Sequence, residues 1–150
     1  MKRIIPVLLI LAAALLAQAR SVRSWSYQAL YDQSDLVVIA TPISTKATAE
    51  RTTLPNLSPE IHVIGLSTEF DISLVLKGEK NAKKATLHHY RLADPKQVLG
   101  NGPCLASFDS KQRPRYLLFL NREADGRYSP ASGQTDPALH SVAKLQGAAE

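Results

Sequence analysis

The chain has 150 residues, 18 Lys+Arg against 13 Asp+Glu for a formal charge of +5, and one cysteine. That length suits a single domain. Apolar residues at 45% and charged residues at 21% exclude a disordered polyelectrolyte, and one cysteine excludes an internal disulfide framework or a multi-cysteine zinc or iron–sulfur site.

Lys2 and Arg3 precede an apolar run from Ile4 to Leu16, which ends in Ala17-Gln18-Ala19. A basic start, an apolar middle and an A-x-A end predict a secretory signal peptide over 1–19. The apolar run of about 13 residues is shorter than the roughly 20 that a membrane-spanning helix needs. No cysteine follows it to carry a lipid, so no membrane anchor is expected after cleavage. Removing 19 of the 150 residues leaves a mature chain of 131, Arg20–Glu150, read as one soluble domain. Loss of Lys2 and Arg3 lowers the charge from +5 to +3. The remaining basic clusters are Lys77, Lys80, Lys83, Lys84 and then Lys111, Arg113, Arg115. The first brackets Gly78 and Asn81 as a solvated turn, and neither interleaves with aromatic residues as a base-stacking surface would. No nucleic-acid partner is expected.

In chain order, Ser26 reads as a helix N-cap, with Tyr27, Leu30 and Tyr31 on one face. Trp25 and Leu30 are placed for a hydrophobic staple, and the helix should end near Ser34. Leu36-Val37-Val38-Ile39-Ala40 predicts a strand buried on both faces or at a barrel closure, ending in a turn at Pro42. Residues 42–60 are polar, contain Pro55 and Pro59, and predict a long loop; Asn56-Leu57-Ser58 matches a glycosylation sequon. From Ile61 to Lys77, Leu66, Phe70, Ile72, Leu74 and Leu76 share one parity while Glu69, Asp71 and Ser73 take the other. This period of two predicts one buried and one wet face. Gly65 predicts a bulge or sharp bend.

Lys77–Lys84 predicts a turn, Ala85–Leu92 a second strand of weaker pattern, and Gly100-Asn101-Gly102 another turn. Cys104–Phe108 and Arg115–Leu120 predict strands. Asp125-Gly126 supplies a hairpin turn before Arg127-Tyr128-Ser129. Asp136 and Pro137 read as N-cap and first position of a last helix, with Leu139, Val142 and Leu145 on its apolar face and Gly147 ending it. Strands joined by turns, without helical crossovers, predict a mainly β domain: a small antiparallel OB-like barrel or rolled sheet with short helices near both ends of the mature chain.

Three blocks resemble the netrin/TIMP-like domains, which have an OB-type barrel. Asp35–Thr41 resembles their first strand. Phe70-Asp71-Ile72 with Val75-Leu76-Lys77-Gly78 is similar to their second strand and its Lys-Gly turn. Arg115–Leu120 resembles their aromatic-aliphatic late strand. The resemblance implies the barrel. Its disulfides do not carry over to a chain with one cysteine, and neither does zinc chelation by an N-terminal cysteine, because the predicted mature chain starts at Arg20. Tyr128 to Gln134 also looks like the Tyr-x-Pro-x-x-Gly-Gln ending of small exported bacterial proteins, a resemblance that implies no activity.

Candidate chemistry is sparse. Cys104 is the sole thiol, and a nucleophilic role needs an activating histidine; no signature surrounds it, and a small apolar residue inside a strand is the simpler reading. His88 and His89 suggest metal, but neighbours on a strand point to opposite faces, and His62 and His140 join them only through the fold. No G-x-S-x-G elbow is present. Gly100-Asn101-Gly102 has neither the Lys nor the helix of a phosphate loop. Glu69 and Asp71 stand about 7 Å apart on a wet strand face, as solubilising and edge-protecting charges. Trp25, Tyr27 and Tyr31 form either a ligand platform or a lid over one barrel end. No catalytic, cofactor or metal residue is assigned.

The expected role is an exported, periplasmic or extracellular module that binds another protein or an envelope component. A small hydrolase using Cys104 or a histidine is the alternative from another class, and an accessory structural protein is the third. Mass spectrometry of the chain recovered from outside the cytoplasm should give an N-terminus at Arg20; recovery of intact Met1 would contradict the leader.

Overall fold

The computed structural model describes residues 23–55, 59–97, 99 and 103–146. The leader, the sequon Asn56-Leu57-Ser58, the turn Gly100-Asn101-Gly102 and Gly147 lie outside the described residues.

Helix α1 spans Tyr27–Gln33. The Ser26 hydroxyl accepts the Ala29 N–H at 3.1 Å, the cap that its sequence position predicts. Ser34 ends the helix by returning its backbone N–H and its hydroxyl to the Leu30 carbonyl. Leu30 is fully buried against Val37 and Phe119, and Trp25 packs on the same cluster, so the predicted staple forms.

Six strands follow: β1 Leu36–Thr53, β2 His62–Lys77, β3 Lys84–Leu92, β4 Tyr116–Arg122, β5 Tyr128–Pro130 and β6 Val142–Lys144. They pair in the order β1-β2-β3-β5-β4, and β4 returns to β1 over Leu36–Ala40 and Tyr116–Leu120, closing a five-strand barrel. β6 lies outside the ring, paired to β4 at Leu118, Leu117 and Tyr116. An odd ring cannot alternate direction all the way round, and β3–β5 is the parallel pair. The barrel is therefore mixed, where strict antiparallel pairing was expected.

The interior holds Leu36, Val38, Ala40, Phe70, Leu87, Leu118 and Leu120, with Ala85 and Tyr116 beside them. Val37 and Phe119 point outward under α1. The Leu36–Ala40 segment is thus buried on both faces, as its β-branched run predicts.

Four expectations need correction. No long loop fills 42–60: β1 continues through Pro42 to Thr53, and β2 opens at His62. Pro42 sits at a register shift between Pro42 and Ser44, where its missing N–H is tolerated. The arm beyond it is polar because it is solvated, and composition alone mistakes that for a loop. Cys104–Phe108 is irregular; the Ala106 carbonyl accepts from His89 Nδ1 at 3.0 Å instead of joining a ladder. The last helix is absent. Asp136 does accept the N–H groups of Ala138 and His140, but Leu139 turns to φ 50 and the chain leaves as β6. Finally, Leu74 and Leu76 are outside. β2 carries one extra residue between the partners of Ile39 and Ala40 and another between those of Val37 and Val38. Each extra residue reverses which face the following side chains occupy, and Val75 packs on the core instead.

Gly78 closes the Lys-Gly turn at φ 100, where a Cβ would meet the Asp35 carbonyl at 2.7 Å. At Gly65 the constraint is space. The bulge lies across from it in β1, between Ala47 (opposite Leu66) and Arg51 (opposite Ile64). A Cβ on Gly65 would stand 2.5 Å from Thr48 Oγ1 and 3.0 Å from Glu50 Cβ. Gly65→Ala should cost about 1–3 kcal/mol, the usual penalty of overpacking, read from urea unfolding with an unchanged m-value. No measurable loss would contradict the close crossing.

Candidate functional site

The two adjacent histidines serve opposite faces of β3, as strand geometry requires. His89 points inward. Its Nδ1 faces the Ala106 carbonyl, which only accepts, so Nδ1 carries the proton and Nε2 accepts from Thr68 Oγ1 at 2.7 Å. Thr68 Oγ1 in turn lies 2.7 Å from Thr45 Oγ1. This polar chain ties β1, β2, β3 and the 103–108 segment together, running from exposed Thr45 to the buried Thr68 and His89. The rings of Phe108 and His89 meet edge-on at 5.1 Å. Burial pushes the His89 imidazole down to about 4, against the opposing effect of its bond to Ala106.

His88 points outward and is nevertheless covered. Its Nδ1 lies 3.0 Å from Glu123 Oε1, and its Nε2 lies 3.0 Å from Glu50 Oε2, though off the line that a hydrogen bond needs. Tyr90 donates to the other Glu50 oxygen at 2.6 Å, and Arg127 stands 3.8 Å from Glu123. Burial first, and then the bond to Glu50, raises the Tyr90 phenol above its ordinary range. Glu50 reaches this cluster across Gly65, which explains why glycine is required there. The two carboxylates occupy opposite edges of one imidazole, so they do not converge on an ion. Among the described residues no group of three or more His, Cys, Asp or Glu is arranged to hold a metal.

His140 is oriented by Asp136, whose Oδ2 lies 2.9 Å from its Nδ1. Burial works to raise the Asp136 carboxyl, but the Ser132 hydroxyl and then the groups of Ala138 and His140 outweigh it and hold the carboxyl below the usual range. His140, Trp25 and Tyr27 share a groove of about 360 Å³. Among the described residues no Ser, Thr or Cys side chain bonds to His140, whose ring nitrogen faces Asp136. Cys104 is half-buried and lines an apolar groove of about 620 Å³ with Leu66, Tyr90 and Leu105; among the described residues no histidine bonds to it. His62 lies exposed on β2. Glu69 pairs with Lys84 and Asp71 with Arg113, on strand residues paired to both neighbours.

The remaining feature is apolar. Among the described residues the large hydrophobic side chains left exposed are Tyr27 at 64%, Tyr31 at 38%, Leu74 at 49% and Leu76 at 45%. Tyr27 and Tyr31 are four apart on α1, hence on one face. The Tyr31 hydroxyl donates to the Leu76 carbonyl at 3.2 Å, and Lys77 Nζ lies 5.2 Å from the Tyr31 ring. Tyr31 therefore meets the end of β2 that carries Leu74 and Leu76, an apolar ridge of three, while Tyr27 stacks on Phe119 with ring centroids 5.8 Å apart. Beside Leu74 and Leu76 runs a groove of about 340 Å³ lined also by Lys77, Lys80 and Lys83. Sequence reasoning named Tyr27 and Tyr31 but put both leucines in the core. A signal was present: the β2 pattern is far longer than that of β3, so one end of β2 must outrun its neighbour.

No family model matches the chain, and no curated protein matches it in sequence.

Stability should fall as pH drops from about 6.5 to about 4. His89 has a folded pKa depressed from 6.5 to about 4, so the unfolded state binds the extra proton in that window and gains by it. The loss reaches roughly 3 kcal/mol at the low end, at about 1.4 kcal/mol per unit. Urea titrations across the window should show it, and His89→Gln should remove that part of the slope; an unchanged slope in the variant would contradict the buried neutral imidazole.

Proposed function

We propose that this chain is an exported, non-catalytic binding module with a netrin/TIMP-like barrel, and that it engages a protein or an envelope component through the Tyr31–Leu76–Leu74 ridge. The ridge itself carries the proposal. Scattered exposed apolar residues are ordinary, but a contiguous set on a small domain marks an interaction surface. Here three of the four exposed large hydrophobics of the described residues, Tyr31, Leu74 and Leu76, stand at one end of β2, where the Tyr31 hydroxyl donates to the Leu76 carbonyl. The leader pattern of residues 1–19 supports export. The three blocks that resemble netrin/TIMP-like domains contribute β1, the end of β2 and β4, which supports the family likeness at the level of strand order.

The test is capture. The chain is immobilised and exposed to the exported fraction of its source cells, beside a denatured control and the double variant Leu74→Ser with Leu76→Ser. Exposed positions of this kind change stability by only about 0.5 kcal/mol, so the variant should stay folded by circular dichroism. Each leucine covered on binding is worth about 1.5–3 kcal/mol, so a partner retained saturably by the native chain should bind the variant about a hundredfold more weakly. Equal retention by both, or no saturable partner, would overturn the proposal.

A further inference from the structure

β2 is paired on both edges only as far as Asp71, which stands opposite Lys84 at the start of β3. Ile72 makes the last bond on that side, its N–H to the Lys83 carbonyl at 2.9 Å. From Ser73 to Lys77 the strand is held by β1 on one edge, and among the described residues no strand pairs with the other. This overhang of five residues extends for about 17 Å at strand rise. It runs along the groove beside the ridge, between the β2 backbone and the turn that carries Lys80 and Lys83.

The groove has a sign. Lys77 Nζ is turned away to the carbonyls of Tyr31 and Asp32, at 2.6 and 3.0 Å. Lys80 and Lys83 line the groove, neither makes a salt bridge among the described residues, and no acidic side chain lines it. Glu79 lies in the same turn but not on the groove wall. A second copy of this edge would bring more lysines onto lysines. The chain's own segment before α1 carries Arg20 and Arg23, again the wrong sign. An anionic lipid surface would satisfy the lysines and leucines but would leave the strand's free N–H and C=O groups without partners.

Resting on the binding-module reading, we infer that the occupant is an extended, acidic segment of a partner protein that adds as a further strand to the open edge of β2 between Ser73 and Lys77. Strand addition supplies main-chain hydrogen bonds for affinity and pockets for alternate side chains for specificity. Leu74 and Leu76 supply the apolar contact. Lys80 and Lys83 select acidic residues and raise the association rate.

The probes are short synthetic peptides in which Val and Leu alternate with Glu, the same peptides with Lys for Glu, and a Glu version interrupted by a central proline. Binding to the purified chain is read by titration and by amide chemical shifts. The Glu peptide should bind and shift the amides of Ser73–Lys77. The Lys peptide should bind at least about tenfold more weakly, and Lys80→Glu with Lys83→Glu should reverse that preference, a size expected of two exposed charge pairs at low salt. Proline removes an N–H from the added strand and should weaken binding by about tenfold or more. Binding should weaken as the Debye length contracts from about 30 Å at 0.01 M to about 8 Å at 0.15 M salt. Charge-blind binding, a proline peptide as good as its parent, self-association through the same amides, or anionic vesicles reproducing the shifts would each overturn the inference. If no peptide binds while capture still depends on Leu74 and Leu76, strand addition falls, the lysines only guard the edge against aggregation, and the binding module stands. If capture is also insensitive to those leucines, both fall.

Discussion

Closure of the sheet between β1 and β4 is the contact on which the rest of the molecule depends. It pairs Leu36–Ala40 with Tyr116–Leu120 and removes both would-be sheet edges at that point. It turns Leu36, Val38, Leu118 and Leu120 inward together and leaves Val37 and Phe119 outward, where Leu30 covers them. Because the ring has five strands, one neighbouring pair must run parallel, and the short β5 beside β3 takes that role. β2 must follow the coiled path of β1 through several register shifts, while β3 pairs only as far as Asp71. Because β3 begins only at Lys84, opposite Asp71, the end of β2 outruns it and leaves Leu74 and Leu76 exposed.

The polar interior answers to the same closure. Thr45, Thr68 and His89 pass one hydrogen-bonded chain from β1 through β2 to β3 and on to the Ala106 carbonyl. Thr68 and His89 are buried, so their polar atoms are costly to leave without partners, while Thr45 meets them from the exposed part of β1. It explains why Cys104–Phe108 is held over the barrel without becoming a strand. On the outer face, Glu50 reaches His88 and Tyr90 only because Gly65 has no side chain in the way. The adjacent histidines are thus two separate devices, one specifying the interior and one binding the β1 arm to the outside of β3 and to Glu123.

Much of this was legible in the sequence because the signals were local. Ser26 and Ser34 bound the helix, the Leu36–Ala40 run marks a doubly buried strand, and Asp125-Gly126 makes its hairpin, with Gly126 at φ 88. What was not legible depends on distant partners. Parity along Ile61–Lys77 puts Leu74 in the core unless the extra residues opposite β1 are known, and those follow from closure. The polar β1 arm reads as loop because neither of its faces needs to be apolar. Asp136-Pro137 does start a turn, but pairing of Val142–Lys144 with β4 outweighs the helical spacing of Leu139, Val142 and Leu145. The candidate surface was partly visible, in Tyr31, and the rest of it depended on the bulges.

β2 is doubly paired up to Asp71 and open on one edge beyond it. Amide hydrogen exchange of the free chain, resolved residue by residue, tests it directly. Within Val63–Asp71 the amides facing both β1 and β3 should be strongly protected, while in Ser73–Lys77 those facing β1 are protected and those facing away exchange like solvated backbone. Uniform protection through Lys77 would mean that another segment already covers the edge, and would contradict the account.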